Sequence, residues 1–173
     1  MKLYIARHGE TDANAQGIVQ GWLDTELNTK GLMQAAEAAM NFSHKIDAIY
    51  SSDLRRASRT AQEFRNYYRD VPYFEDARLR ERNFGDAAGT HRDQHDWEQF
   101  WATEDSSTIA NAEIVNDFTA RVLEFLDELK AKQYDAVLIV AHGGVLNRFQ
   151  AILDPAHTHH PHPNASILEI DIQ

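Results

Sequence analysis

Two apolar runs, one near each end of the chain, stop at a histidine followed by glycine. Leu3-Tyr4-Ile5-Ala6 leads into Arg7-His8-Gly9, and Ala136-Val137-Leu138-Ile139-Val140-Ala141 leads into His142-Gly143-Gly144. Neither run alternates apolar with polar residues. Unbroken runs of this length suit strands covered on both faces, as in the parallel sheet of an α/β protein. Such sheets bind ligands just beyond the carboxyl ends of their strands. Arg7, His8 and His142 are therefore expected at the rim of a site, where glycine lets the backbone turn sharply.

The rest of the chain reads as helices and strands in alternation. Residues 14–27 show little periodicity and are expected to form a loop; loops of that length in small domains tend to carry function, the alternative being a solvated connection with Trp22 packed down as a lid on the core. Thr29 can cap a helix running to about Phe42, with Leu32, Ala35, Ala36 and Ala39 on its inner face. Residues 46–50 read as a strand, and Ser52 as the cap of a helix beginning near Asp53. Arg55, Arg56 and Arg59 crowd the first turns of that helix. Cations are disfavoured at the positive end of a helix dipole, so at least one of the three is expected to hold an anion, with Arg55 and Arg59 in solvent. Residues 71–74 read as an edge strand beside Pro72, and 79–85 as a charged loop. A polar helix is expected over 90–104, an amphipathic one over 113–130, another over 145–153, and a last strand over 166–172. The expected fold class is α/β, a three-layer α/β/α sandwich around a largely parallel sheet, with residues 1–173 as one domain.

Composition narrows the partners. The formal charge is −10, from 27 acidic and 17 basic residues. That balance opposes nucleic acid and anionic membrane surfaces, which reward basic proteins. There are no cysteines, hence no disulfide or thiolate metal site. The N-terminal apolar run is too short for a signal peptide, and no stretch approaches the roughly 18 apolar residues of a membrane span. The expected location is cytoplasmic.

Two strands thus deliver a histidine each to one sheet edge. The helix opening at Gly143-Gly144 offers unpaired N–H groups to an anion, and Arg7 with Arg56 adds two planar donor forks that match phosphate oxygens. There is no Walker loop and no carboxylate cluster with metal spacing. Positive charge for a phosphoryl group would come from side chains, with no metal and no cofactor.

Arg7-His8-Gly9-Glu10-Thr11 with Asn14, Ser51-Ser52-Asp53-Leu54-Arg55-Arg56-Ala57 with Thr60-Ala61, Leu79-Arg80-Glu81 with Phe84-Gly85, and Ala141-His142-Gly143-Gly144 follow one another in order. Together they resemble the histidine phosphatase superfamily, in its phosphoglycerate-mutase-like branch, from Leu3 to Ile170. The resemblance implies that His8 is the nucleophile that becomes phosphorylated. It implies that Arg7, Arg56 and His142 surround the phosphoryl oxygens, and that Glu81 protonates the leaving group and later activates water. Asn14, Gln20, Gly21 and Gly143 match positions beside the phosphate or substrate. The implied reaction is metal-independent hydrolysis of a small phosphorylated metabolite.

Some positions depart from that family. Ile18 stands where an arginine is common, Ala87-Ala88-Gly89 replaces Trp-Glu-Gly, and Asn111-Ala112-Glu113-Ile114 replaces a Gly-Glu-Ser stretch. These changes alter the pocket walls and leave its phosphate centre. The chain is also shorter than typical mutases, which favours phosphatase over phosphoglycerate mutase. A non-catalytic phospholigand-binding protein is the other alternative. The stretch His157-Thr158-His159-His160-Pro161-His162 reads as a pocket rim or an adventitious metal site. Substrate identity and oligomeric state stay open.

Overall fold

The computed structural model describes residues 1–154 and 156–172; Pro155, which begins the histidine-rich tail, lies outside them. Its strands are β1 (Lys2–Arg7), β2 (Ala48–Ser51), β3 (Tyr73–Glu75), β4 (Ala136–Ala141) and β5 (Ile167–Asp171), in the order β3-β2-β4-β1-β5. The first four of that order run parallel, and β5 is antiparallel to β1 at the edge. The helices are α1 (Asp12–Gln16), α2 (Thr29–Asn41), α3 (Arg55–Tyr67), α4 (Trp97–Ala102), α5 (Val115–Lys130) and α6 (Gly143–Leu153).

The strand pleat sends alternate side chains to opposite faces. Leu3, Ile5, Val137 and Ile139 pack with Phe118, Val122 and Phe125 of α5 and Val145 and Phe149 of α6. Tyr4, Ala6, Leu138 and Val140 pack with Ala39 of α2 and Ala61 and Phe64 of α3. Both faces of β1 and β4 are therefore covered, which explains why neither run alternates. Three layers result.

Local details differ from expectation. The segment after His8 is not all loop. Thr11 and Asn14 form a reciprocal capping box that starts α1, and Gly17, with φ of 70°, ends it. Asn28, not Thr29, caps α2, accepting from the N–H of Gly31 at 2.8 Å. Of the polar helix expected over 90–104, only Arg92–Gln94 (one 3₁₀ turn) and α4 are helical. Asp96 caps α4, so the segment restarts there. Ser52 does not cap α3; Leu54 occupies that station with no side-chain bond. Trp22 is 41% exposed, and its indole N–H donates to the Glu81 carbonyl at 2.8 Å.

Candidate active site

The β1–β4 register pairs Arg7 with Ala141, so His8 and His142 leave the sheet side by side. The His8 N–H donates to the Ala141 carbonyl at 2.9 Å. The two rings are buried, with centroids 5.1 Å apart. His8 Nδ1 lies 2.7 Å from the Gly9 carbonyl. A carbonyl only accepts, so Nδ1 carries the hydrogen and Nε2 keeps a lone pair. Burial, then the charges of Arg56 and Arg7, holds the His8 pKa well below its ordinary value. The ring is neutral near pH 7, as a nitrogen nucleophile must be. His142 is also held well below its ordinary value, by burial first and then by Arg56, His8 and Arg7. Its Nε2 sits 2.9 Å from the Ser52 hydroxyl.

Arg56 lies in the first turn of α3 and is 1% exposed. Two backbone carbonyls aim it: Nη1 donates to Leu23 and Nη2 to Gly21, each at 2.7 Å. Burial lowers its pKa to about 10, so it stays charged at neutral pH. Arg7 donates through Nη1 to the His162 carbonyl. The Nε atoms of Arg7 and Arg56 and the Nδ1 of His142 are buried without a partner among the described residues. Buried polar nitrogens are rarely left so. A tetrahedral oxyanion has enough oxygens to meet all three.

The other arginines of α3 are offset locally. Arg55, exposed, bonds Asp24 and Glu26, and Arg59 pairs with Glu63 at 2.6 Å. Asp53 pairs instead with Arg80, at 2.5 Å. Glu10, on the motif after His8, pairs outward with Lys30 at 2.8 Å.

Glu81 bonds neither neighbouring guanidinium. Its Oε1 accepts from the Arg82 N–H at 2.8 Å and its Oε2 from the Gly144 N–H at 3.0 Å. Asn14 caps the turn after His8 and receives Asn164 Nδ2 at 3.4 Å. Gln20 is buried and accepts from the hydroxyls of Thr11 and Thr25. Gly21, at φ of 53°, presents the carbonyl that holds Arg56. Gly143 opens α6.

All nine residues singled out from the sequence line one cavity of about 840 Å³: Arg7, His8, Asn14, Gln20, Gly21, Arg56, Glu81, His142 and Gly143. Its far wall adds residues with no such assignment, among them Arg92, Trp97 and Trp101. Trp97 and Trp101 fall within the segment expected as a polar helix, and nothing local marked them as pocket residues. Ser52 and Thr60 stood in the motif set, but without a role in the site. Thr60 takes the Gly9 N–H at 3.0 Å and donates to the Arg56 carbonyl at 2.8 Å, which ties the turn after His8 to α3. A serine at a strand's carboxyl end was the available signal for Ser52.

The histidine-rich stretch forms a rim of the same cavity, through residues 158–162. Asn147 of α6 holds it: Nδ2 donates to the His160 carbonyl at 2.8 Å, and Oδ1 accepts from the His160 N–H at 2.9 Å. His159 stacks on Trp101 at 4.9 Å. Among the described residues, no group of three or more histidine, aspartate or glutamate side chains is placed to hold a metal ion.

A model described as the histidine phosphatase superfamily, branch 1, matches residues 3–173. The chain belongs to that superfamily. A member from Salmonella typhimurium, an adenosylcobalamin/alpha-ribazole phosphatase, is 37% identical over 155 residues, covering 85% of this chain and 76% of that one. A 2,3-bisphosphoglycerate-dependent phosphoglycerate mutase of Bartonella bacilliformis is 33% identical over 168 residues, covering 88% and 81%. The mycobacterial glucosyl-3-phosphoglycerate phosphatase, solved in complex with VO3, superposes with a TM-score of 0.83 at 31% identity, covering 98% and 92%. The three-layer fold and the ordered motifs of this chain are thus those of histidine phosphatases over its whole described length.

Proposed function

We propose that the protein hydrolyses phosphomonoesters of small metabolites through a phosphohistidine on His8, without a metal ion. The observation that carries this reading is the neutral His8, its Nδ1 on the Gly9 carbonyl, beside three buried nitrogens on Arg7, Arg56 and His142 that have no partner among the described residues. Nε2 attacks phosphorus, an N–P bond forms, and the ester O–P bond breaks. Glu81 gives a proton to the departing oxygen. Water then attacks the phosphohistidine, its proton passes to Glu81, and the N–P bond breaks to release inorganic phosphate. Arg7, Arg56 and His142 offset the charge on the equatorial oxygens in both displacements. Each Glu81 oxygen accepts one backbone N–H and keeps a second lone-pair position for the transfer.

Support comes from the superfamily and from the phosphatases among its relatives, which act on differing phosphorylated compounds. Both cores rest on one sheet, which supports the whole chain acting as one catalytic domain. No helix among the described residues is long and apolar enough to cross a membrane, and the cytoplasm, where phosphorylated metabolites are made, is the compartment this reading assigns. Mutases among the relatives keep phosphate transfer between hydroxyls as the second reading.

The test is turnover of an aryl phosphate with EDTA present, followed by phosphate release from a panel of phosphorylated metabolites. Phosphate release that survives EDTA and an acid-labile phosphoenzyme are expected. Turnover that needs a metal overturns the reading, and transfer to a second hydroxyl without phosphate release replaces it with the mutase.

A further inference from the structure

We infer that Gly144 is a positioning residue for the Glu81 carboxyl: the missing side chain makes the space that the carboxyl group occupies. The inference rests on the proton-transfer role proposed above for Glu81.

Gly144 is the second residue of α6. Its N–H holds Glu81 Oε2 at 3.0 Å, while Oε1 accepts from the Arg82 N–H at 2.8 Å. A Cβ built on Gly144 would lie 2.1 Å from Oε1, 3.0 Å from Cδ of Glu81 and 3.0 Å from Cη2 of Trp101. The first of these distances is far inside van der Waals contact. Gly143 differs, since the nearest atom to its Cβ would be Arg7 Nε at 3.7 Å, an ordinary separation. Of the two glycines after His142, only the second is required to be small by Glu81.

The clash falls on the end of a flexible side chain, not on the backbone. Gly144 itself has a backbone conformation that other residues adopt, and alanine is the better helix former. The methyl group can be accommodated by the fold if Glu81 moves. Trp101 bars movement on its own side, because its ring stacks on His159 and packs on Phe118. Glu81 has to leave the α6 N-terminus, and with it the station from which it reaches the ester oxygen. Misplacing a catalytic group by about 1 Å can cost about a hundredfold in rate.

A proton donor matters most when the leaving group is a poor one. Phosphorylation of His8 is followed by rapid quench with phenyl phosphate and with 4-nitrophenyl phosphate, two donors of similar size whose phenols differ in acidity. Wild type, Gly144→Ala, Glu81→Gln and the double variant are compared. In Gly144→Ala, phosphorylation by phenyl phosphate is expected to fall about a hundredfold, within the range for loss of a general acid. With 4-nitrophenyl phosphate it is expected to stay within about threefold. The double variant is expected to be no slower than Glu81→Gln alone, since two changes acting through one group do not add.

Equal losses with both donors, no loss with either, or multiplied losses in the double variant overturn the inference. So does a Gly144→Ala chain that fails to fold, because the glycine would then serve the fold. If Glu81→Gln itself lacks the selectivity between donors, the role of Glu81 falls and Gly144 with it. If Glu81→Gln shows that selectivity and Gly144→Ala does not, only the inference about Gly144 fails.

Discussion

His8 and His142 emerge one residue beyond the same register pair of two adjacent parallel strands, and their buried rings meet at 5.1 Å. Neighbours at that distance are not independent in a low-dielectric site. Each lies among the same cations, and both are held neutral by burial.

Replacing His8 with alanine removes the proposed nucleophile without disturbing the sheet below it. Turnover is expected to fall at least about a thousandfold. The acid-labile phosphate on the protein should vanish with it. Quench-flow with labelled substrate reads both, and a phosphoenzyme that persists in His8→Ala places the nucleophile elsewhere.

Arg56 is aimed by two carbonyls, those of Gly21 and Leu23. Lysine keeps the charge but carries its donors on one nitrogen and lacks the planar fork whose separate nitrogens meet the two acceptors. In Arg56→Lys, kcat/KM is expected to drop about tenfold or more, with a stability loss of about 1–3 kcal/mol, chiefly from the unmet buried carbonyl of Gly21. Steady-state kinetics and thermal melts measure the two effects separately.

Acid should weaken the fold through its buried histidines. His8 and His142 have native pKa values well below the ordinary one, and His162 is pushed down to about 4, by burial first and then by His160 and Arg7. Unfolded, each titrates near about 6.5. Below that pH the unfolded chain binds protons that the native chain refuses, so stability is full above about 6.5 and declines as pH falls. For His162 the decline runs down to about 4. Thermal melts from pH 7.5 to 4.5 should show a falling Tm, with a shallower slope in His162→Phe. An identical slope in that variant refutes the assignment.

Asn147 joins α6 to the histidine-rich rim through His160, whose N–H and carbonyl it meets at 2.9 and 2.8 Å. In Asn147→Ala those backbone groups lose their partner. A loss of about 2 kcal/mol is expected, with faster proteolysis confined to residues 156–163. Uniform protection along the chain in hydrogen exchange would show that the rim does not depend on this side chain.

Local pattern was enough to place β1, β4 and the two histidines. Each strand's apolar run and the glycine after it are adjacent in sequence, and a short unbroken run bounded by glycine suits a doubly covered strand. The parallel layers and the crowding of arginines on α3 were legible for the same reason. Helix boundaries were less so. Asn28 and Thr29 are both competent caps, and only the Asn28 bond to the Gly31 N–H chose between them.

What had no local signal is the aim of the site. Arg56 points where it does because Gly21 and Leu23, over thirty residues earlier, offer it carbonyls. Glu81 sits against Gly144 because two segments sixty-three residues apart meet there. Ser52 turns to His142 across ninety. Hydrophobic periodicity is a property of neighbours along the chain and survives in the bare sequence. Hydrogen-bond partners between distant segments exist only once the sheet and its covering helices have brought them within 3 Å, so folding alone selects them.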